Sequence, residues 1–145
     1  MSVTAERTHQ GVIHRIHPVH ALLLAWTVPL FLGAVLSDIA YMASYEIQWS
    51  NFASWLIVGG LVFGGLAVLW AAVDLSRANR RGRRALAYFL LLMATWILGF
   101  INALVHARDA WATMPAGLGF SIVVAVLACS ATWMGFSGLR VGGAA

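Results

Sequence analysis

Four apolar runs, residues 19–43, 52–75, 85–106 and 116–139, take up most of the 145-residue chain. Each reaches the roughly 20 residues that a helix needs to cross about 30 Å of hydrocarbon. A segment in lipid must satisfy its own backbone N–H and C=O groups, and a continuous run of this length does so as a helix. The chain is 61% hydrophobic and 10% charged, whereas in a soluble domain about a quarter of the residues are charged. The expected architecture is an all-α integral membrane protein, an antiparallel four-helix transmembrane bundle. Residues 1–16 form a cytoplasmic N-terminal segment, 17–140 the membrane domain and 141–145 a short cytoplasmic tail. The first run is too long for a signal-peptide core and no small-x-small cleavage site follows it, so it reads as a retained span. Cys129, the single cysteine, excludes an internal disulfide framework and a multi-cysteine metal site.

Charge orients the chain. With the loop SRANRRGRR on the cytoplasmic side, Arg7, Arg15, Arg77, Arg80, Arg81, Arg83, Arg84 and Arg140 lie inside and only Arg108 outside. This is a strong positive-inside bias and predicts an N-in/C-in topology. The basic pI then reflects topology and anionic headgroups, and no nucleic-acid role is expected, because the basic loop is a short hairpin with no fold on which to present bases.

Small residues recur at helical spacing in two runs: Gly60, Gly64, Ala67 and Ala71 in the second, and Gly117, Ser121, Ala125, Ala128, Thr132 and Gly135 in the fourth. Such stripes let helix backbones approach closely in lipid, where burying apolar surface gives no net drive. Packing within one bundle is the preferred reading and a homodimer the alternative.

Polar residues inside spans cost free energy in lipid and so face the interior. In the first run His20, Thr27 and Asp38 stay within about 20° of one face, and in the third Tyr88, Thr95, Asn102 and His106 do nearly the same. Depth splits them. His17, His20, Asp74 and Tyr88 belong to the cytoplasmic end, and Asp38, Asn102 and His106 to the outer end, about 25–30 Å away at 1.5 Å per residue. At the outer end Asp38 is expected to hydrogen-bond His106 or Asn102. At the inner end His17 and His20, one turn apart, and Asp74 form a candidate three-ligand site for Zn²⁺. The competing reading makes the HPVH stretch a helix start, with Pro18 in the first turn. A haem b between His20 and His106 is excluded by depth.

Trp49, Trp55 and Trp111 fall near one interface and Trp70 and Trp133 near the other, where indole rings anchor helices. Trp26 and Trp96 sit deeper, with core packing their default role.

The HPVH motif at residues 17–20, the stretch DIAYMASYEIQWSNFASWLIVGG from Asp38, Asp74 before a basic loop, Asn102 late in the third run and the terminal TWMGFSGLRVGG together resemble the domain-of-unknown-function family numbered 2231. The resemblance covers the chain from about Ile16. It implies a four-span bacterial inner-membrane protein, and family members fused to or encoded with redox modules imply a redox-accessory role by analogy. The family pattern reads like HPxHPxxxHFP and carries a further histidine early in the third span. This chain has Ala25 and Thr27 in place of the second histidine and proline, and Tyr88 in place of the other histidine. If typical members hold a haem or metal between those histidines, both ligands are lost here.

The expectation is therefore a non-enzymatic accessory or small subunit of a membrane complex, in contact with lipid and with a complex partner, and with no cofactor. Haem- or metal-binding electron transfer and a small proton or solute pathway are the alternatives. No Ser/His/Asp, paired-carboxylate or Cys/His arrangement stands at catalytic spacing.

Overall fold

The computed structural model of the chain describes residues 17–77 and 82–137. Its elements are α1 (Pro18–Ser44), α2 (Ile47–Ser76), α3 (Arg83–His106), the single turn α4 (Ala110–Thr113) and α5 (Ala116–Ser137). Four of these helices are long and apolar enough to cross a membrane. The chain is thus an all-helical protein with four candidate spans.

Local chemistry sets the ends of α1. His17 is the N-cap, its Nδ1 accepting from the Val19 amide at 3.3 Å, and Pro18 takes the first helical position, where its missing N–H has no intrahelical partner to lose. HPVH does start a helix. At the other end Tyr45 turns the chain with φ 57° and its N–H bonds to the Tyr41 carbonyl at 2.7 Å. Its ring, stacked on Trp111 at 5.8 Å, ties this two-residue connection to α4. The left-handed region is costly for a residue with a Cβ, and the ring contacts help to hold it there.

The second helix begins at Ile47, not near residue 52, because a membrane helix continues past the hydrocarbon into the interface, where apolarity no longer marks it. The four-residue α4 is too short to leave a periodic mark in the sequence. For the fourth span, the described helix ends at Ser137, and residues 138–139 of the expected run lie outside the described residues, as do the expected terminal segments.

The long helices alternate in direction. α1 packs on α2 and α5, and α3 packs on the same two, so α1 and α3 lie across one diagonal of a square and α2 and α5 across the other. The two small-residue stripes face inward: Gly60, Ala67 and Ala71 of α2 and Gly117, Ser121, Ala125 and Ala128 of α5 are buried. At Gly60 the approach is close, since a Cβ there would stand 2.7 Å from the Phe31 ring. Leu24, Ala67, Val68, Ala71, Leu92 and Ala131 form one apolar cluster and Phe31, Val124, Ala125 and Ala128 a second. The outer faces are apolar as well, with Leu36, Trp55, Leu69 and Trp133 all exposed. A helix that is hydrophobic all round suits a lipid environment.

Trp26 and Trp96, expected at similar depth, part company. Trp96 packs on α2 against Gly64 and Gly65 and donates its indole N–H to the Leu61 carbonyl at 3.1 Å. Trp26 is half exposed on the outer surface, stacked on Phe63. Depth along a helix axis does not determine which way a side chain faces.

Candidate functional site: two polar clasps across the bundle

The interior polar residues gather at two levels, and at each level α1 reaches α3 across the diagonal. At the end away from the arginine-rich loop, Asp38 of α1 meets His106 of α3, Oδ1 to Nε2 at 2.8 Å, and its other oxygen accepts from the Ser121 hydroxyl of α5 at 2.5 Å. Asn102 donates from Nδ2 to the same Ser121 oxygen at 2.8 Å. His106 completes the group through Nδ1, 3.0 Å from the backbone carbonyl of Asn102. Asp38 and Asn102 are fully buried, and Ser121 and His106 nearly so. Three helices are joined by one network, in surroundings where a buried carboxylate without partners would be strongly unfavourable.

The proton positions follow from the geometry. A carbonyl oxygen only accepts, so His106 Nδ1 must carry a hydrogen. Its Nε2 then faces a carboxylate oxygen, and a proton must lie in that contact for it to be attractive. The proton sits either on nitrogen, giving imidazolium and carboxylate, or on oxygen, giving neutral imidazole and carboxylic acid.

Packing holds the ring in place. A Cβ at Gly117 would lie 3.0 Å from His106 Cε1 and 2.7 Å from the Thr113 methyl, so only glycine lets α5 pass this close to both. Thr113 of α4, fully buried, turns its hydroxyl to the Val105 carbonyl of α3 at 3.5 Å, which places the short turn against the His106 end of α3. Asn102 Oδ1 is buried without a donor among the described residues.

At the other level His20 Nε2 is 2.8 Å from the Tyr88 hydroxyl. Trp70 of α2 lies beside both histidines, tilted 4.8 Å from the His17 ring and stacked 6.1 Å from that of His20. His20 Nδ1 is buried without a partner among the described residues. Nearby Arg84 donates to the Ser137 hydroxyl at 2.8 Å, linking α3 to α5.

The structure thus brings together Asp38, Asn102 and His106, and separately His20 and Tyr88. Asp74 of α2 lies within charge–charge reach of His20 and Tyr88, and among the described residues no group of three His, Cys, Asp or Glu side chains is disposed to hold a metal ion. The residues do not fit a bis-histidine haem either. His20 is engaged by Tyr88, Ala25 is exposed on the outer face of α1 and so does not oppose Tyr88, and His106 belongs to the far clasp.

In the sequence Ser121 is one small residue of a packing stripe and Thr113 carries no mark, yet Ser121 is the hub of the far clasp. The two clasps share one register. The Asp38–His106 and His20–Tyr88 contacts each span 68 residues, and the same offset pairs the buried residues Leu24 with Leu92, Thr27 with Thr95 and Phe31 with Gly99. On α2 and α5 it pairs Ala53 with Ser121, Ile57 with Ala125 and Gly60 with Ala128, all buried. The bundle has the form of two helical hairpins repeated in the same direction, as in parallel repeats about an axis along the membrane normal.

A family model described as "Predicted membrane protein (DUF2231)" matches residues 16–139. No match was found among curated proteins or among solved structures.

Proposed function

The chain belongs to the DUF2231 family of predicted membrane proteins, and from that premise we propose that it serves as a non-catalytic accessory or small subunit of a membrane complex. Its place in this reading is the bacterial cytoplasmic membrane, with both termini and the arginine-rich loop inside. The observation that carries the reading is the Asp38–His106–Ser121 network, in which the buried ionisable groups bond to one another. Between the two clasps Leu24, Phe31, Leu92 and Val124 fill the interior beside Thr27 and Thr95, whose hydroxyls donate to carbonyls of their own helices, a filling that weighs against a continuous polar pathway. Side chains available to a partner then lie on the outside, on a rim that carries Leu36, Trp55 and Leu69, and at the arginine-rich end. Complexes with redox modules are the first to examine, on the family resemblance.

The test is purification of the tagged full chain from its own membranes in mild detergent. An integral-membrane partner should co-elute at fixed stoichiometry through size exclusion, and deletion of the chain should reduce assembly of that same complex. A chain that elutes alone, with membrane complexes unchanged by its deletion, would overturn the reading.

A further inference from the structure

In the Asp38–His106 contact one proton has to be present, on His106 Nε2 or on Asp38 Oδ1. We propose that the pair is a buried binding site for one exchangeable proton, and that this proton holds α1 to α3 at this end of the bundle.

Three features of the geometry lead there. The Nδ1 hydrogen of His106 is fixed by the Asn102 carbonyl, so tautomer exchange cannot supply a hydrogen to Nε2 without sacrificing that bond. The Ser121 hydroxyl is committed to Asp38 Oδ2 while its oxygen receives the Asn102 amide, and so brings no hydrogen to the Oδ1–Nε2 contact. Gly117 lies against the ring and both side chains of the pair are buried, so water does not readily replace the missing hydrogen. Dissociation is balanced simply: the pair releases H⁺ to water and leaves an ionised Asp38 and a neutral His106 that keeps its Nδ1–H. Two lone pairs then face each other at 2.8 Å, and a fully buried carboxylate has lost its counter-charge. That state is strongly disfavoured in a low dielectric, so the clasp must open to relieve it.

The neighbouring elements supply no substitute. α2 presents Ser50 and Ala53 at this level, α5 Ser121 and α4 Thr113. The titratable groups at this end are Tyr41 on α1, Tyr45 and Glu46 in the α1–α2 connection, and Arg108 and Asp109 after α3. Among the described residues none of them bonds to Asp38 or His106.

The experiment uses the full chain in lipid nanodiscs and follows melting temperature against pH together with the imidazole nitrogen resonances of His106. Raising the pH should lower the melting temperature through a single-proton transition, and His106 Nε2 should change over the same range while Nδ1 stays protonated until the clasp opens. The Asp38→Asn variant should lose that transition, because its amide donates to a neutral Nε2 and its oxygen still accepts from Ser121. An unmodified protein whose melting temperature ignores pH would overturn the proposal. So would an Asp38→Asn variant with the same transition, or an Nε2 resonance that does not change where stability falls. The resonance alone decides if the variant does not fold.

Discussion

Asp38 and His106 meet at 2.8 Å across the diagonal of the bundle, between helices that otherwise pack mainly on α2 and α5. About five helical turns away, His20 and Tyr88 repeat the contact at the same 68-residue offset. Two polar bridges in one register fix the rotation and the axial position of α1 relative to α3 at both ends. Apolar packing alone specifies neither well in lipid, where sliding one apolar face past another costs little.

Removing Ser121 should weaken the far clasp most economically. The Ser121→Ala variant leaves Asp38 Oδ2 and Asn102 Nδ2 buried without their shared partner, a loss of about 1–3 kcal/mol for each stranded group. Thermal unfolding in detergent should show a clear drop, larger than for Ser130→Ala, whose exposed hydroxyl bonds only to the Val126 carbonyl.

The near clasp is tested with Tyr88→Phe. The ring stays and the hydroxyl goes, leaving both nitrogens of a buried His20 without a partner. A destabilisation of about 1–3 kcal/mol is expected. In a double-mutant cycle with His20→Leu the two losses should be clearly non-additive; additive losses would mean that the contact contributes nothing.

Close helix approach predicts a graded glycine series. Gly60→Ala presses on Phe31 at 2.7 Å, and because Phe31 is itself buried the substitution should cost about 1–3 kcal/mol. At Gly64 the nearest atoms are 3.8 Å away and at Gly119 nothing lies within 4 Å. Alanine at either should leave the melting temperature nearly unchanged.

Topology is read with reporters. The eight-to-one arginine division predicts a cytoplasmic signal from a fusion after Ala145 and from one inserted in the loop at residues 77–84. A periplasmic signal from either position would reverse the orientation.

Protein purified after expression with ample haem should give a flat reduced-minus-oxidised spectrum and no stoichiometric zinc. A sharp α-band that disappears in His17→Ala or His20→Ala would show that these histidines ligate haem. Bound zinc lost on Asp74→Asn would support the three-ligand site instead.

Much of this protein follows from its sequence alone. Four runs of sufficient length, almost without charge, can only be spans, because hydrocarbon leaves the backbone no other partner for its hydrogen bonds. The face of α1 that carries His20, Thr27 and Asp38 is also legible, since a 3.6-residue period converts spacing into direction. Tertiary structure decided which faces meet. Helices that are apolar on every side bear no amphipathic mark of their neighbours, so the diagonal placement of α1 and α3 had to come from packing. The role of Ser121 emerges only there, because a small residue in a packing stripe and the hub of a polar network look alike until Asp38 and Asn102 are brought to it. The outward turn of Trp26 and of Ala25 was likewise settled in three dimensions, because depth in a membrane is a matter of counting residues, whereas inwardness depends on where the other helices stand.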